Sequence, residues 1–138
     1  MARYRNGKFD SFTKEDGVPA GMIRALYVDA KGRLWIPSTE GGLGRVDDPT
    51  QDHPSFVRYT VKEGLSTDQT TCVTEDQWGR IYIGTAIGVD RLDPSTGRVK
   101  RYTIANGLPN GYVNVAYRDP QQRALAWHLV GFIKTRTL

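Results

Sequence analysis

With 138 residues, 38% hydrophobic and 25% charged, at a mean hydropathy of -0.50, the chain has the size and polarity of one water-soluble domain and is far from a disordered composition. A formal net charge of +4 raises nucleic-acid binding, but Arg24, Arg33, Arg45, Arg58, Arg80, Arg91, Arg98, Arg101 and Arg118 stand singly along the chain, so no nucleic-acid partner is expected. The longest apolar run, from Ala124 to Ile133, is broken by His128 and Gly131 and falls well short of the roughly 20 residues that span a bilayer, so no membrane contact is expected.

The first predicted element is a hairpin between Arg3 and Phe12, turning at Asn6-Gly7, a dipeptide that favours tight two-residue turns. No apolar segment or small-residue cleavage site accompanies Met1 to Gly7, so no signal peptide is read there. Glu15-Asp16-Gly17-Val18-Pro19 follows, and this block returns as Lys62-Glu63-Gly64-Leu65-Ser66 and Ala105-Asn106-Gly107-Leu108-Pro109. Gly17, Gly64 and Gly107 stand about 45 residues apart, the period of repeat architectures.

The segments behind each glycine repeat as well. Ile23 to Asp29 answers to Thr71 to Asp76 and to Val113 to Asp119; Lys31-Gly32-Arg33-Leu34-Trp35-Ile36 answers to Trp78-Gly79-Arg80-Ile81-Tyr82-Ile83. Gly42 to Asp47 answers to Gly88 to Asp93, and Phe56 to Val61 answers to Val99 to Ile104. Each block is short, β-branched or aromatic, and bounded by Gly, Pro, Asn or Asp, which predicts four strands per repeat, with negligible helix before residue 119. Asp29-Ala30-Lys31-Gly32 and Asp76-Gln77-Trp78-Gly79 predict tight turns, the Asp bonding backbone N–H groups and the Gly taking a positive φ.

A four-stranded repeat of about 40–45 residues is the unit of a β-propeller blade. The expected fold is therefore all-β, a β-propeller fragment with two complete and two partial blades. Residues 1–15 form the outer hairpin of a preceding blade, 16–62 and 63–105 are blades, and 106–138 begin a further blade with an atypical C-terminus. Closed propellers use about 4–8 blades, so the chain is expected to be part of a larger array.

The Asp-Gly-Leu-Pro/Ser start, the Asp-x-x-Gly-x-Leu-Trp-Ile-Gly-Thr centre and the Gly-Leu-x-Arg-Leu-Asp-Pro end resemble the two-component regulator propeller repeats of hybrid histidine kinases and related bacterial regulators. The match is strongest from Glu75 to Pro94 and covers roughly residues 3 to 119. It departs at Pro37, where the family favours Gly, at Thr39-Glu40-Gly41 and Gln51-Asp52-His53-Pro54, which lengthen two connections, and after Asp119. The resemblance implies a sensor region outside the cytoplasm, signalling through kinase or regulator domains absent from this sequence. It also implies a small molecule, such as a carbohydrate, as ligand, with the remaining blades or another copy of the chain as partners.

Propeller ligands gather near the axis, where loops enter the innermost strands, and that geometry selects Arg24, Asp68, Gln69, Asn110 and Tyr112 as candidate ligand-binding residues. Asp68 and Asn110 also suit loop capping. Trp35, Tyr82, Tyr59 and Tyr102 fall at equivalent repeat positions and are expected to pack between blades. Cys72, the single cysteine, is expected in the core and excludes an internal disulfide; His53 and His128 stand apart, so no metal and no cofactor are expected. Asp29, Asp47, Asp76, Asp93 and Asp119 recur at turns, so no catalytic residue is assigned. A propeller enzyme of the polysaccharide lyase or glycosidase class and a protein-interaction scaffold are the alternatives.

Overall fold

The computed structural model describes residues 1–108, 111–118 and 124–127. Strands β1 (Ala2–Arg5) and β2 (Lys8–Ser11) form a hairpin; β3 (Tyr27–Val28), β4 (Leu34–Pro37), β5 (Leu43–Val46) and β6 (Phe56–Tyr59) form a four-stranded antiparallel meander. A second meander follows in β7 (Thr70–Glu75), β8 (Ile81–Thr85), β9 (Val89–Leu92) and β10 (Val99–Tyr102), and β11 (Val115–Arg118) pairs with β12 (Ala124–Trp127). Sequential meanders with this order are propeller blades, two complete and two partial among the described residues.

The turns between the first and second strands of each blade follow from one aspartate. Asp29 Oδ1 accepts from the N–H groups of Lys31 and Arg33 at 2.9 and 3.0 Å, and its Oδ2 accepts from Arg33 Nε at 2.6 Å and Trp35 Nε1 at 2.8 Å. Asp76 repeats the arrangement with the N–H groups of Trp78 and Arg80, Arg80 Nε, and the Tyr82 hydroxyl at 3.1 Å. Each turn closes through a glycine with positive φ, Gly32 at 79° and Gly79 at 77°, a region that costs glycine little.

The core lies between blades. Trp35, Leu43, Tyr59 and Leu65 pack against Val73, Ile81, Ile83 and Leu92 of the second meander. Cys72, Tyr82, Val89, Leu108 and Val113 form the next layer. Tyr59 and Tyr102 thus join Trp35 and Tyr82 in packing between sheets.

The repeat alignment shifts by one residue. Thr70, not Thr71, is the equivalent of Ile23, because Ile23 bridges Ser38 as Thr70 pairs with Thr85. An irregularity between Thr70 and Cys72 hides this in the sequence. Pro37 occupies the place of Gly84, pairing with Leu43 as Gly84 pairs with Val89. A Cβ on Gly84 would overlap Cys72 Sγ; the first blade has Ala25 in place of Cys72, which leaves room for Pro37.

The two lengthened connections also have partners. Thr39 exchanges hydrogen bonds with Met22, its N–H donating to the Met22 carbonyl and its Oγ1 accepting from the Met22 N–H. The segment after β5 clasps the N-terminal hairpin: Arg3 Nη1 donates to the carbonyls of Pro49 and Gln51 at 2.7 Å, and Arg5 pairs with Asp52.

Candidate functional site

The innermost strands of successive blades, β3, β7 and β11, meet around one cleft. Arg24, Tyr27, Thr71, Cys72, Asn114 and Ala116 line a cleft of about 470 Å³ there. Arg24 is exposed and makes no hydrogen bond or ion pair among the described residues, so its guanidinium offers a planar donor fork to the cleft. Thr71 is spent on structure, its hydroxyl donating to the Val113 carbonyl. Burial pushes the Cys72 thiol up to about 11, which leaves it protonated and unreactive at neutral pH.

Toward the turn end of the same strands, Val28, Glu75 and Arg118 occupy one repeat position on three successive blades, the first two immediately before the turn aspartates Asp29 and Asp76. Glu75 is buried at 4% exposure. Its Oε1 accepts from the Ala30 N–H at 2.7 Å, from the Tyr27 hydroxyl at 3.4 Å and from Arg118 Nη1 at 3.3 Å. One carboxylate therefore ties three blades together at the axis. The Tyr27 hydroxyl is raised above the ordinary tyrosine value by burial first and the Glu75 charge second, and so remains a donor. Sequence reading passed over Glu75 and Arg118. The available signal was chemical change at a repeat position, where Val, Glu and Arg follow one another.

Of the four sequence-selected residues that are described, Arg24 alone lines the axial cleft. Asp68 lies with Arg58, Thr60, Lys62 and Glu63 around a separate depression of about 400 Å³. There it caps its own loop, Oδ1 accepting from the Val61 N–H at 2.9 Å while its carbonyl accepts from the Gly42 N–H at 2.9 Å. Gln69 is exposed, its N–H donating to Thr67 Oγ1 at 3.2 Å and its carbonyl accepting from the Ala86 N–H at 3.2 Å. Tyr112 is 38% exposed. Asn110 lies outside the described residues.

A further buried carboxylate stands on β9. Asp90 Oδ2 accepts from the N–H and hydroxyl of Ser66 at 2.7 and 3.0 Å, while Oδ1 has no partner among the described residues. Burial raises its carboxyl above the ordinary value, against the lowering by Ser66. Asp29 moves the other way: burial opposes ionisation, but the donors on Trp35 and Arg33 outweigh it and hold the carboxyl low. Among the described residues no group of His, Cys, Asp and Glu is arranged to hold a metal ion.

The architecture has solved counterparts. The extracellular domain of BT3049 from B. thetaiotaomicron, described as a hybrid two-component system, matches with a TM-score of 0.77 and 21% identity over 88% of this chain and 16% of its own length. The corresponding domain of BT4673 from the same organism matches with a TM-score of 0.61 and 22% identity, over 73% of this chain and 15% of its own. Catalytically inactive virginiamycin B lyase from Staphylococcus aureus, with quinupristin, matches with a TM-score of 0.64 and 16% identity over 88% of this chain and 39% of its own. These likenesses establish the β-propeller fold, and this chain spans under a fifth of the two extracellular domains. No protein-family model and no curated protein matches the sequence.

Proposed function

We propose that this chain is a segment of the ligand-sensing propeller of a two-component regulator, lying outside the cytoplasm, recognising a small molecule and carrying out no catalysis itself. The axial cleft carries this reading. It combines an uncommitted guanidinium at Arg24 with the Asn114 amide on a wall shared by three blades, so an occupant would contact three sheets at once. The turn carboxylates Asp29 and Asp76 are saturated by backbone, guanidinium and aromatic donors, which suits scaffolding. Likeness to two extracellular domains of regulators of this class supports the same reading.

The test is thermal unfolding of the full chain with a panel of neutral and acidic disaccharides, beside Arg24→Ala. A disaccharide held at 100 times its dissociation constant stabilises the chain by about 2.7 kcal/mol. The wild type should respond to at least one sugar and Arg24→Ala should not. Equal responses from both chains, or none from either, would discard the cleft. A lyase reading rests on the likeness to virginiamycin B lyase; it requires turnover of a polysaccharide or lactone substrate that disappears in Glu75→Gln.

A further inference from the structure

Two departures from the repeat meet in one cleft between the complete blades. Trp78 stands where the preceding blade has Lys31: the N–H of each donates to its turn aspartate at 2.9 Å, and a glycine follows each. The turn therefore uses the backbone of that residue and asks nothing of its side chain. Trp78 is nonetheless a large aromatic, 69% exposed. The Arg80 guanidinium lies over its ring, 4.6 Å from the centroid, and steadies the indole as a platform.

The second departure is electrostatic. In the first blade Arg45 neutralises Asp47 at 2.7 Å. The equivalent Arg91 donates to the Tyr102 hydroxyl at 3.3 Å and leaves Asp93, the equivalent of Asp47, without a cation among the described residues. Asp93 Oδ1 accepts from the Ser95 N–H and hydroxyl at 2.9 and 2.6 Å. Those donors hold the carboxyl below its usual value, the hydroxyl foremost, so it stays an acceptor at neutral pH.

Trp78, Asp93 and Ser95 line a cleft of about 120 Å³ together with Lys31 and Arg33 of the preceding blade. It lies at the turn ends of the strands, away from the loop that holds Asp68 and Gln69. Arg33 is held by Asp29 at 2.6 Å, whereas the Lys31 ammonium has no partner among the described residues. The cleft is smaller than the roughly 300–1,000 Å³ that encloses a drug-sized ligand, so it takes a single ring. A carboxylate and an ammonium lining the same cleft favour neither an anion nor a cation. They match neighbouring hydroxyls, each of which donates and accepts, while the indole matches an apolar ring face.

We propose that this cleft is a carbohydrate-binding site for one neutral pyranose ring, its C–H face on Trp78 and two adjacent hydroxyls bridging Asp93 and Lys31. The site is separate from the axial cleft and does not depend on it.

The test is titration calorimetry of the full chain carrying Arg24→Ala, which silences the axial cleft, with the methyl glycosides of glucose, mannose and galactose and with inorganic phosphate. At least one glycoside should bind, with a dissociation constant on the order of 1 mM at the efficiency usual for small ligands. Adding Trp78→Lys, the residue that the preceding blade carries at this place, should weaken that binding about tenfold or more. Adding Asp93→Asn instead, which keeps an oxygen for the Ser95 donors, should weaken it too, and urea midpoints should match among the three chains. Absence of binding by every glycoside overturns the proposal. So does equal binding with and without Trp78→Lys, or heat from phosphate alone.

Discussion

The meanders β3–β6 and β7–β10 are two drafts of one repeat with different neighbours. Strand β7 is six residues long and buried throughout, whereas its counterpart β3 keeps two residues, with Leu26 and Val28 in the open. The difference lies in what stands before each strand, because β7 has a full sheet at its back. Inside the blades, identities change in compensating sets: Cys72 with Gly84 becomes Ala25 with Pro37, and Ser66 bonded to Asp90 becomes Pro19 packed on Gly44. What the repeat maintains is the filled volume and the satisfied donor at each place, more than the residue.

The hardest blow to either blade is loss of its turn aspartate. Asp76→Ala strands Trp78 N–H, Arg80 N–H and the Tyr82 hydroxyl, and Asp29→Ala strands their equivalents; each should lower unfolding free energy by about 3 kcal/mol. A loss under about 1 kcal/mol in one of them, by urea titration, would break the equivalence. Gly84→Ala should cost about 1–3 kcal/mol by overpacking against Cys72. Cys72→Ala in the same chain should recover most of that loss, and strictly additive losses would refute the exchange of volumes.

Val73→Ala should cost about 1–2 kcal/mol for the apolar group removed and the space left. Leu26→Ala at the equivalent place should stay within about 0.5 kcal/mol in dilute solution. A Leu26→Ala cost that grows with protein concentration would signal a covering partner, and equal losses in the dilute chains would cancel the contrast between β3 and β7.

The smallest effect is one of sign. The folded chain binds the Asp90 proton more tightly than the unfolded chain, so that residue favours folding at low pH and loses its contribution as pH rises above the ordinary carboxylate value of about 3.9. Asp29, held low, contributes above that value and loses its contribution as pH falls through its folded pKa. Asp90→Asn should therefore flatten the decline on the high side and leave the acid limb unchanged. A pH profile of urea midpoints identical to the parent's would remove the buried acid from the account.

The blades were legible because turn chemistry is local. Asp29 and Gly32, or Asp76 and Gly79, declare a hairpin within four residues, and repetition fixes which strands belong together. The register of β7 was less legible, since the irregularity near Thr70 leaves no mark on composition. The site was harder still. Arg24 could be placed on the axial wall from its position ahead of an innermost strand. Glu75 reads as a residue beside a turn until β3 and β11 stand on either side of it, and Asp68 is drawn to the Val61 N–H by a loop closure that no spacing rule encodes.

Self-similar units carry a hazard of their own, since each can dock where another belongs. The Val28, Glu75, Arg118 series gives the junctions separate addresses. Among the described residues, only the middle sheet carries a carboxylate that reaches back to the Ala30 N–H and forward to Arg118. A sheet inserted out of turn would leave Glu75 buried without its cation or Arg118 without its anion, a cost of several kcal/mol. The order of the sheets around the axis is thus written in charge at one position per repeat.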